Sequence, residues 1–334
     1  MDPDLKQFLN HVSRQHGYDL AKLLKTDEIV LLHLLHTHHQ DSVAHSINVA
    51  KDVVFVASNL GLNEREVERL EIAALLHDIG KIYMHTIVLD QGVDINEQMA
   101  IIKEYGIIVD PKDNLLSKIK MYQLVEHRTH LPGWNKKHIS QIEARNILHA
   151  LRDQAQISIL EHIRNHQLYT RELLKQAKVP PRIIDIASTH HPEYFKDIAN
   201  TDEISILSAV DKFNAMIQSE GIRNYDSRKG RSEALIFLID KLHEKKEVVK
   251  ELAKKHLPLE INELEEAVTH MIRLFKSNTD ISKKVVERIE VKLVAWLMAV
   301  KKLKINIFSK RKVLQEYIYL QTQLRLAEAE GRVH

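Results

Sequence analysis

Apolar side chains recur at helix spacing through most of the chain, and residues that interrupt helices are scarce, with 9 Gly and 7 Pro among 334 residues. Near the start, Phe8, Val12, Leu20, Leu23, Leu24, Ile29, Leu32 and Leu35 keep the i, i+3, i+4 period of a buried helix face. Aromatics make up only 5% of the residues, which disfavours sandwiches, barrels and Gly-rich cofactor folds. The expectation is an all-α protein, long enough at roughly 100–200 residues per domain for one large domain or two.

Read along its length, the chain divides into three parts. Residues 1–38 are expected to form two short N-terminal helices. A stretch from Gln40 to Gly61 is amphipathic and ends on a glycine stop, and a further helix covers Glu64 to His77. Residues 82–155 are the least legible: a polar run at Gln91–Asn96, a turn at Val109–Asp113 and a Pro132-Gly133-Trp134 loop mark an insertion with helices of its own. Helical periodicity resumes at 156–178, stops at Pro180-Pro181, and continues through 182–190, 203–219 and 231–254. After Pro258, long helices are expected at about 260–277, 280–305 and 309–328. The implied organisation is N-terminal helices 1–38, a central domain 39–245 carrying the insertion, and a C-terminal helical region 246–334.

The 48 basic and 46 acidic side chains leave a net charge of +2, which calls for neither DNA, RNA nor an anionic membrane as partner. The lysine clusters of the C-terminal third read as solvated helix faces. The N-terminus has no basic, apolar leader pattern, and no apolar run approaches the roughly 18 residues of a membrane span, so a cytoplasmic location is expected. Long amphipathic C-terminal helices suggest a homodimer. With no cysteine, thiolate metal sites and cysteine nucleophiles are excluded. The 21 histidines are the compositional outlier, and imidazole is the commonest transition-metal ligand among side chains.

The strongest local signal is Leu75-Leu76-His77-Asp78-Ile79-Gly80-Lys81. Adjacent helical residues point about 100° apart, so an imidazole and a carboxylate in tandem serve one site only at a helix terminus or when the carboxylate is shared between two metals. Gly80 permits a tight turn, and Lys81 supplies a cation for a phosphate oxygen. A His-Asp pair alone is weak; its company strengthens it.

His45 in AHSINVA, His77-Asp78 in ALLHDIGK and Asp211 in ILSAVDKFNAM resemble, in order, the H…HD…D signature of the HD-domain metal-dependent phosphohydrolases. His166 in RNHQLYTRELLK resembles the HP-x-x-G helix start of the HD-GYP branch, His190-His191 in IASTHHPEYF its double histidine, and the stretch after Asp211 its continuation. The resemblance spans about residues 40–240 and implies an HD-type helical bundle. It further implies one metal held by His45, His77, Asp78 and Asp211 and a second by Asp78, His166, His190 and His191, with Asp78 bridging. Asp41, one turn before His45, matches an acidic residue that holds a third metal in some members. Two or three divalent ions are therefore expected, iron or manganese before magnesium because the ligands are rich in histidine.

Asp78 and Lys81 are the expected catalytic residues. Lys81, Arg128 and Trp134 are candidate substrate contacts, the arginine for a phosphate and the indole for a base. His36, His38 and His39 read as exposed. The implied activity is hydrolysis of a phosphodiester in a small nucleotide, cyclic di-GMP or a related cyclic dinucleotide, with metals lowering the pKa of a water and neutralising phosphate oxygens. The branch's Gly-Tyr-Pro element is absent after His191, where Pro192–Asp202 runs directly toward Asp211, and the segment from Lys81 to His166 is long for the family. Both departures fall where substrate selection sits. Two alternatives stay open: a catalytically silent metal- or nucleotide-binding scaffold, and a nucleotide phosphomonoesterase of the same superfamily.

Overall fold

A computed structural model describes residues 2–89, 92–192, 201–218, 229–276, 283–305, 315–319 and 322. The protein is all-α; among the described residues there is no strand, only an isolated antiparallel bridge between Lys120 and Ser158. The helices are α1 (Pro3–His16), α2 (Thr26–His38), α3 (Gln40–Asn59), α4 (Glu64–Leu76), α5 (Thr86–Leu89), α6 (Ile95–Glu104), α7 (Met121–Thr129) and α8 (Gln141–Leu151). They continue as α9 (Ile159–Arg164), α10 (His166–Gln176), α11 (Pro181–Ala187), α12 (Asp202–Ile217), α13 (Arg231–Asp240), α14 (Lys246–Lys276) and α15 (Lys283–Leu303). None is long and apolar enough to cross a membrane. The chain forms two compact units, one of residues 1–54 and 62–228, the other of 55–61 and 229–334.

Local sequence signals set the ends of the helices that matter for chemistry. At the start of α4, Asn63 accepts from the Glu66 amide and the Glu66 carboxylate accepts from the Asn63 amide, a reciprocal cap that satisfies two otherwise free donors. Its last four residues, Ala73 to Leu76, are all buried, so the chain leaves α4 inside the core with His77 and Asp78 next in line. Helix α12 is capped by Thr201 and is buried continuously from Glu203 to Asp211, which carries Asp211 into the same interior. Pro181, whose ring cannot donate in any case, begins α11.

Helix α11 packs on α4, α10 and α12, while α10 lies against the 3₁₀ turn Ile79–Tyr83 that follows Asp78. Residues 84 to 159 assemble a hydrophobic cluster of their own, including Ile101, Ile119, Met121, Leu124, Val125 and Ile159. His39, expected at the surface, is buried and bonded through Nδ1 to Ser42 Oγ at 2.7 Å. His36 and His38 are half-buried, the first against Phe8 and the second reaching the Met84 carbonyl at 2.8 Å.

In the second unit, the helix expected over 231–254 is divided by a break at 241–245, where His243 takes φ +54°. Helix α14 then runs straight through Pro258, where a stop was expected. A proline inside a helix removes one hydrogen bond and costs about 3 kcal/mol. Here Leu252, Leu257, Ile261, Leu264 and Val268 are buried on both sides of it, and the buried Trp296 indole donates to the Leu257 carbonyl at 3.0 Å. Tertiary burial outweighs the local penalty. Residues 193–200 and most of the helix expected at 309–328 lie outside the described residues.

Candidate metal centre

Three histidines of the core are oriented in the same manner. His77 Nδ1 donates to the Ala74 carbonyl at 2.7 Å, His166 Nδ1 to the Ile163 carbonyl at 2.5 Å and His190 Nδ1 to the Ala187 carbonyl at 2.7 Å. Each bond reaches back three residues to a carbonyl near a helix end. A proton fixed on Nδ1 leaves Nε2 as an in-plane lone pair, the form of imidazole that ligates a metal. His45 is held from both sides, with Nδ1 2.9 Å from Gln218 Oε1 and Nε2 donating to Asp211 Oδ1 at 2.9 Å.

The Nε2 atoms converge around two carboxylates. Asp78 turns Oδ2 toward His77 Nε2 at 3.4 Å and His45 Nε2 at 3.9 Å, and Oδ1 toward His166 Nε2 at 3.6 Å. Asp211 turns Oδ1 toward His45 Nε2 at 2.9 Å and His77 Nε2 at 3.6 Å, and Oδ2 toward His191 Nε2 at 3.6 Å. Three overlapping groups have donor atoms close enough to share an ion: His45, His77 and Asp78; His77, His190 and Asp211; and His166, His190 and His191.

The electrostatics of this pocket call for cations. Burial works to raise Asp78, but His77, Lys81 and His166 hold its carboxyl well below the usual range. Asp211 is likewise held low against its burial by His45, His77 and His191. Burial works to lower His77, but the two carboxylates push it up to about 10, so positive charge is favoured at the point its Nε2 faces. That Nε2 is buried without a hydrogen-bond partner. Burial drives His166 down to about 4 and His190 well below its ordinary value, so both rings are neutral. The donor set of imidazole nitrogens and carboxylate oxygens, with no thiolate, fits a first-row divalent ion.

The remaining candidates are placed differently. Lys81 Nζ donates to Asp78 Oδ2 at 2.5 Å and keeps 19% of its side chain exposed, as His191 keeps 16%, whereas His45, His77, Asp78 and Asp211 keep 4% or less. Solvent therefore reaches the cluster on the side of Lys81 and His191. Asp41 is exposed and belongs to none of the three donor groups. Arg128, expected to meet a phosphate, is fully buried; its guanidinium donates to Glu97 and to the carbonyls of Ile87 and Gly92, which leaves no face for a nucleotide. Trp134 is 85% exposed.

Sequence reasoning did not find Gln218, which orients His45, nor Thr170, which joins the two halves of the site. Nor did it find Gln167, buried beside His166 with neither amide atom bonded. Thr170 had a readable signal: it lies four residues after His166, on the same face of one helix.

Among comparisons with known proteins, a family model described as the HD domain matches residues 42–144. No curated protein and no solved structure matches the chain. The matched segment contains His45, His77 and Asp78, while His166, His190, His191 and Asp211 lie beyond it. Residues 42–144 are thus similar to the HD domain, and the buried His and Asp side chains gathered around Asp78 and Asp211 could hold a metal.

Proposed function

We propose that the protein is a phosphodiesterase with a dinuclear centre. In this reading His45, His77 and Asp211 hold one ion, His166, His190 and His191 the other, and Asp78 bridges them. The observation that carries the reading is the Asp78 carboxylate, whose Oδ2 faces His45 and His77 while its Oδ1 faces His166. Iron or manganese fits a donor set this rich in imidazole better than magnesium does.

Such ions, when bound, lower the pKa of a water and neutralise the oxygens of a phosphate. The chain's own side chains do the rest. The Nδ1 bonds to Ala74, Ile163 and Ala187 fix the imidazole planes before any ligand arrives, so little reorganisation accompanies binding. Lys81, at the exposed side, is placed to exchange part of its contact with Asp78 for a substrate phosphate oxygen, a point charge where negative charge develops. In the overall step a water oxygen bonds to phosphorus, one ester P–O bond breaks, and the water proton ends on the leaving oxygen.

The proposed substrate is a small nucleotide diester of the cyclic dinucleotide type. This rests on the likeness of His166, His190-His191 and the residues around Asp211 to the HD-GYP branch. The test offers anaerobically purified, Fe(II)- or Mn(II)-loaded protein cyclic di-GMP, other cyclic dinucleotides, linear dinucleotides and nucleoside monophosphates, with products read by mass spectrometry. Linearisation or cleavage of a dinucleotide supports the reading. Release of phosphate from monophosphates alone makes the protein a phosphomonoesterase, and full metal loading without turnover makes it a scaffold.

A further inference from the structure

The turn carrying His77 and Asp78 is joined to α10 by one hydroxyl. Thr170 Oγ1 accepts from the Gly80 amide at 2.9 Å and donates to the His77 carbonyl at 3.0 Å, and Thr170 is fully buried. Both protein groups belong to the helix end that supplies His77 and Asp78, whereas Thr170 lies one turn beyond His166 on the same face of α10. The approach is as close as backbone allows. A Cβ on Gly80 would fall inside the contact distance of the His166 carbonyl oxygen and 2.6 Å from the Thr170 nitrogen, both of them main-chain atoms. Gly80 does not have positive φ; the glycine is required here by space.

We infer that Thr170 and Gly80 are positioning residues, a hydroxyl pin and a Cβ-free seat that set the separation between the His77–Asp78 turn and His166. A valine at 170 keeps the branched shape but offers neither donor nor acceptor, leaving the buried Gly80 amide and the His77 carbonyl without this partner. The turn and α10 then part, and the Asp78 Oδ1 to His166 Nε2 spacing, now 3.6 Å, lengthens. Serine keeps both bonds. Alanine at 80 reaches the same end by steric force instead of bond loss.

The inference rests on the dinuclear reading for its consequence, and its test separates the two. Thr170→Val, Thr170→Ser and Gly80→Ala are titrated with Mn(II), with ions per chain counted and spin coupling between them read by electron paramagnetic resonance. The expected result is that Thr170→Val and Gly80→Ala keep the first ion, bind the second at least about tenfold more weakly and lose the coupled spectrum, while Thr170→Ser matches wild type. A coupled pair bound with wild-type affinity in Thr170→Val overturns the inference. In parallel, imidazole ¹⁵N shifts of His77 and His166 in metal-free protein are expected to move in Thr170→Val and return in Thr170→Ser, and unmoved shifts also overturn it. A wild-type chain that binds no Mn(II) yet shows this pattern of shifts contradicts the dinuclear reading and supports the pin. Should Thr170→Val not fold, Thr170→Ala removes the same two bonds without steric load and is read in its place.

Discussion

His166 Nε2 and His190 Nε2 lie 3.2 Å apart, and each ring already gives its Nδ1 proton to a backbone carbonyl. Two lone pairs therefore face each other in a buried space with no proton between them. The arrangement is unfavourable by itself and becomes favourable around a cation. Metal should accordingly stabilise the fold. At a free concentration about a hundredfold above Kd, one bound ion adds about 2.7 kcal/mol. Thermal denaturation with Mn(II) and with chelator is expected to differ by at least several degrees; a melting temperature indifferent to both would contradict a metal at this position.

Asp78 touches both histidine sets and also Lys81, so its substitution should act on every part of the site together. Asp78→Asn keeps the shape and removes the charge that binds cations. Turnover of whichever nucleotide the wild type hydrolyses is expected to fall by at least about a hundredfold, with metal affinity falling alongside it. Steady-state kinetics on the variant checks this, and undiminished turnover would remove Asp78 from the mechanism.

Arg128 and Trp134 lie in the same insertion but should respond in opposite ways. The Arg128 guanidinium is paired with buried Glu97, which Lys137 also contacts, and it donates to the Ile87 and Gly92 carbonyls. Arg128→Ala removes these bonds and opens a cavity, and should cost about 2–5 kcal/mol of stability. Trp134 is largely exposed, and Trp134→Ala should change stability by no more than about 0.5 kcal/mol. Urea denaturation of both variants distinguishes them; a stable Arg128→Ala protein with impaired substrate binding would restore the arginine as a substrate contact.

His162 gives the fold a pH dependence away from the proposed ligands. Burial, with His85 nearby, lowers it to about 4, so the folded protein holds it neutral while the unfolded chain protonates it near 6.5. Between those values the unfolded state binds the extra proton. The contribution is thus fully present above pH 6.5 and lost as pH falls toward 4, about 3 kcal/mol in all. Stability measured with chelator from pH 7 to 4.5 should fall less steeply in His162→Leu than in wild type; parallel curves would show that His162 does not titrate in this way.

What was legible in the sequence followed from chemistry that constrains residue type. A site of nitrogen and oxygen donors in a cysteine-free chain restricts the search to His, Asp and Glu, and His45, His77-Asp78, His166, His190-His191 and Asp211 stand in short recognisable contexts. The all-α class was legible because helix period and a shortage of Gly and Pro persist along the chain. What escaped depends on neighbours distant in sequence. Pro258 reads as a stop until Trp296 and the apolar residues around it are placed beside it. Arg128 reads as a free cation until Glu97 is found 31 residues away in the chain. Thr170 reads as an ordinary helical threonine until the Gly80 turn arrives from 90 residues upstream.

The central claim is that one carboxylate joins two metal sites, and a count of ions per chain tests it most directly. Protein loaded with Mn(II) or Fe(II) under anaerobic conditions, desalted and measured by plasma mass spectrometry, is expected to hold two ions per chain in wild type and at most one in Asp78→Ala. A wild-type chain that holds none, or an Asp78→Ala chain that still holds two, would contradict it.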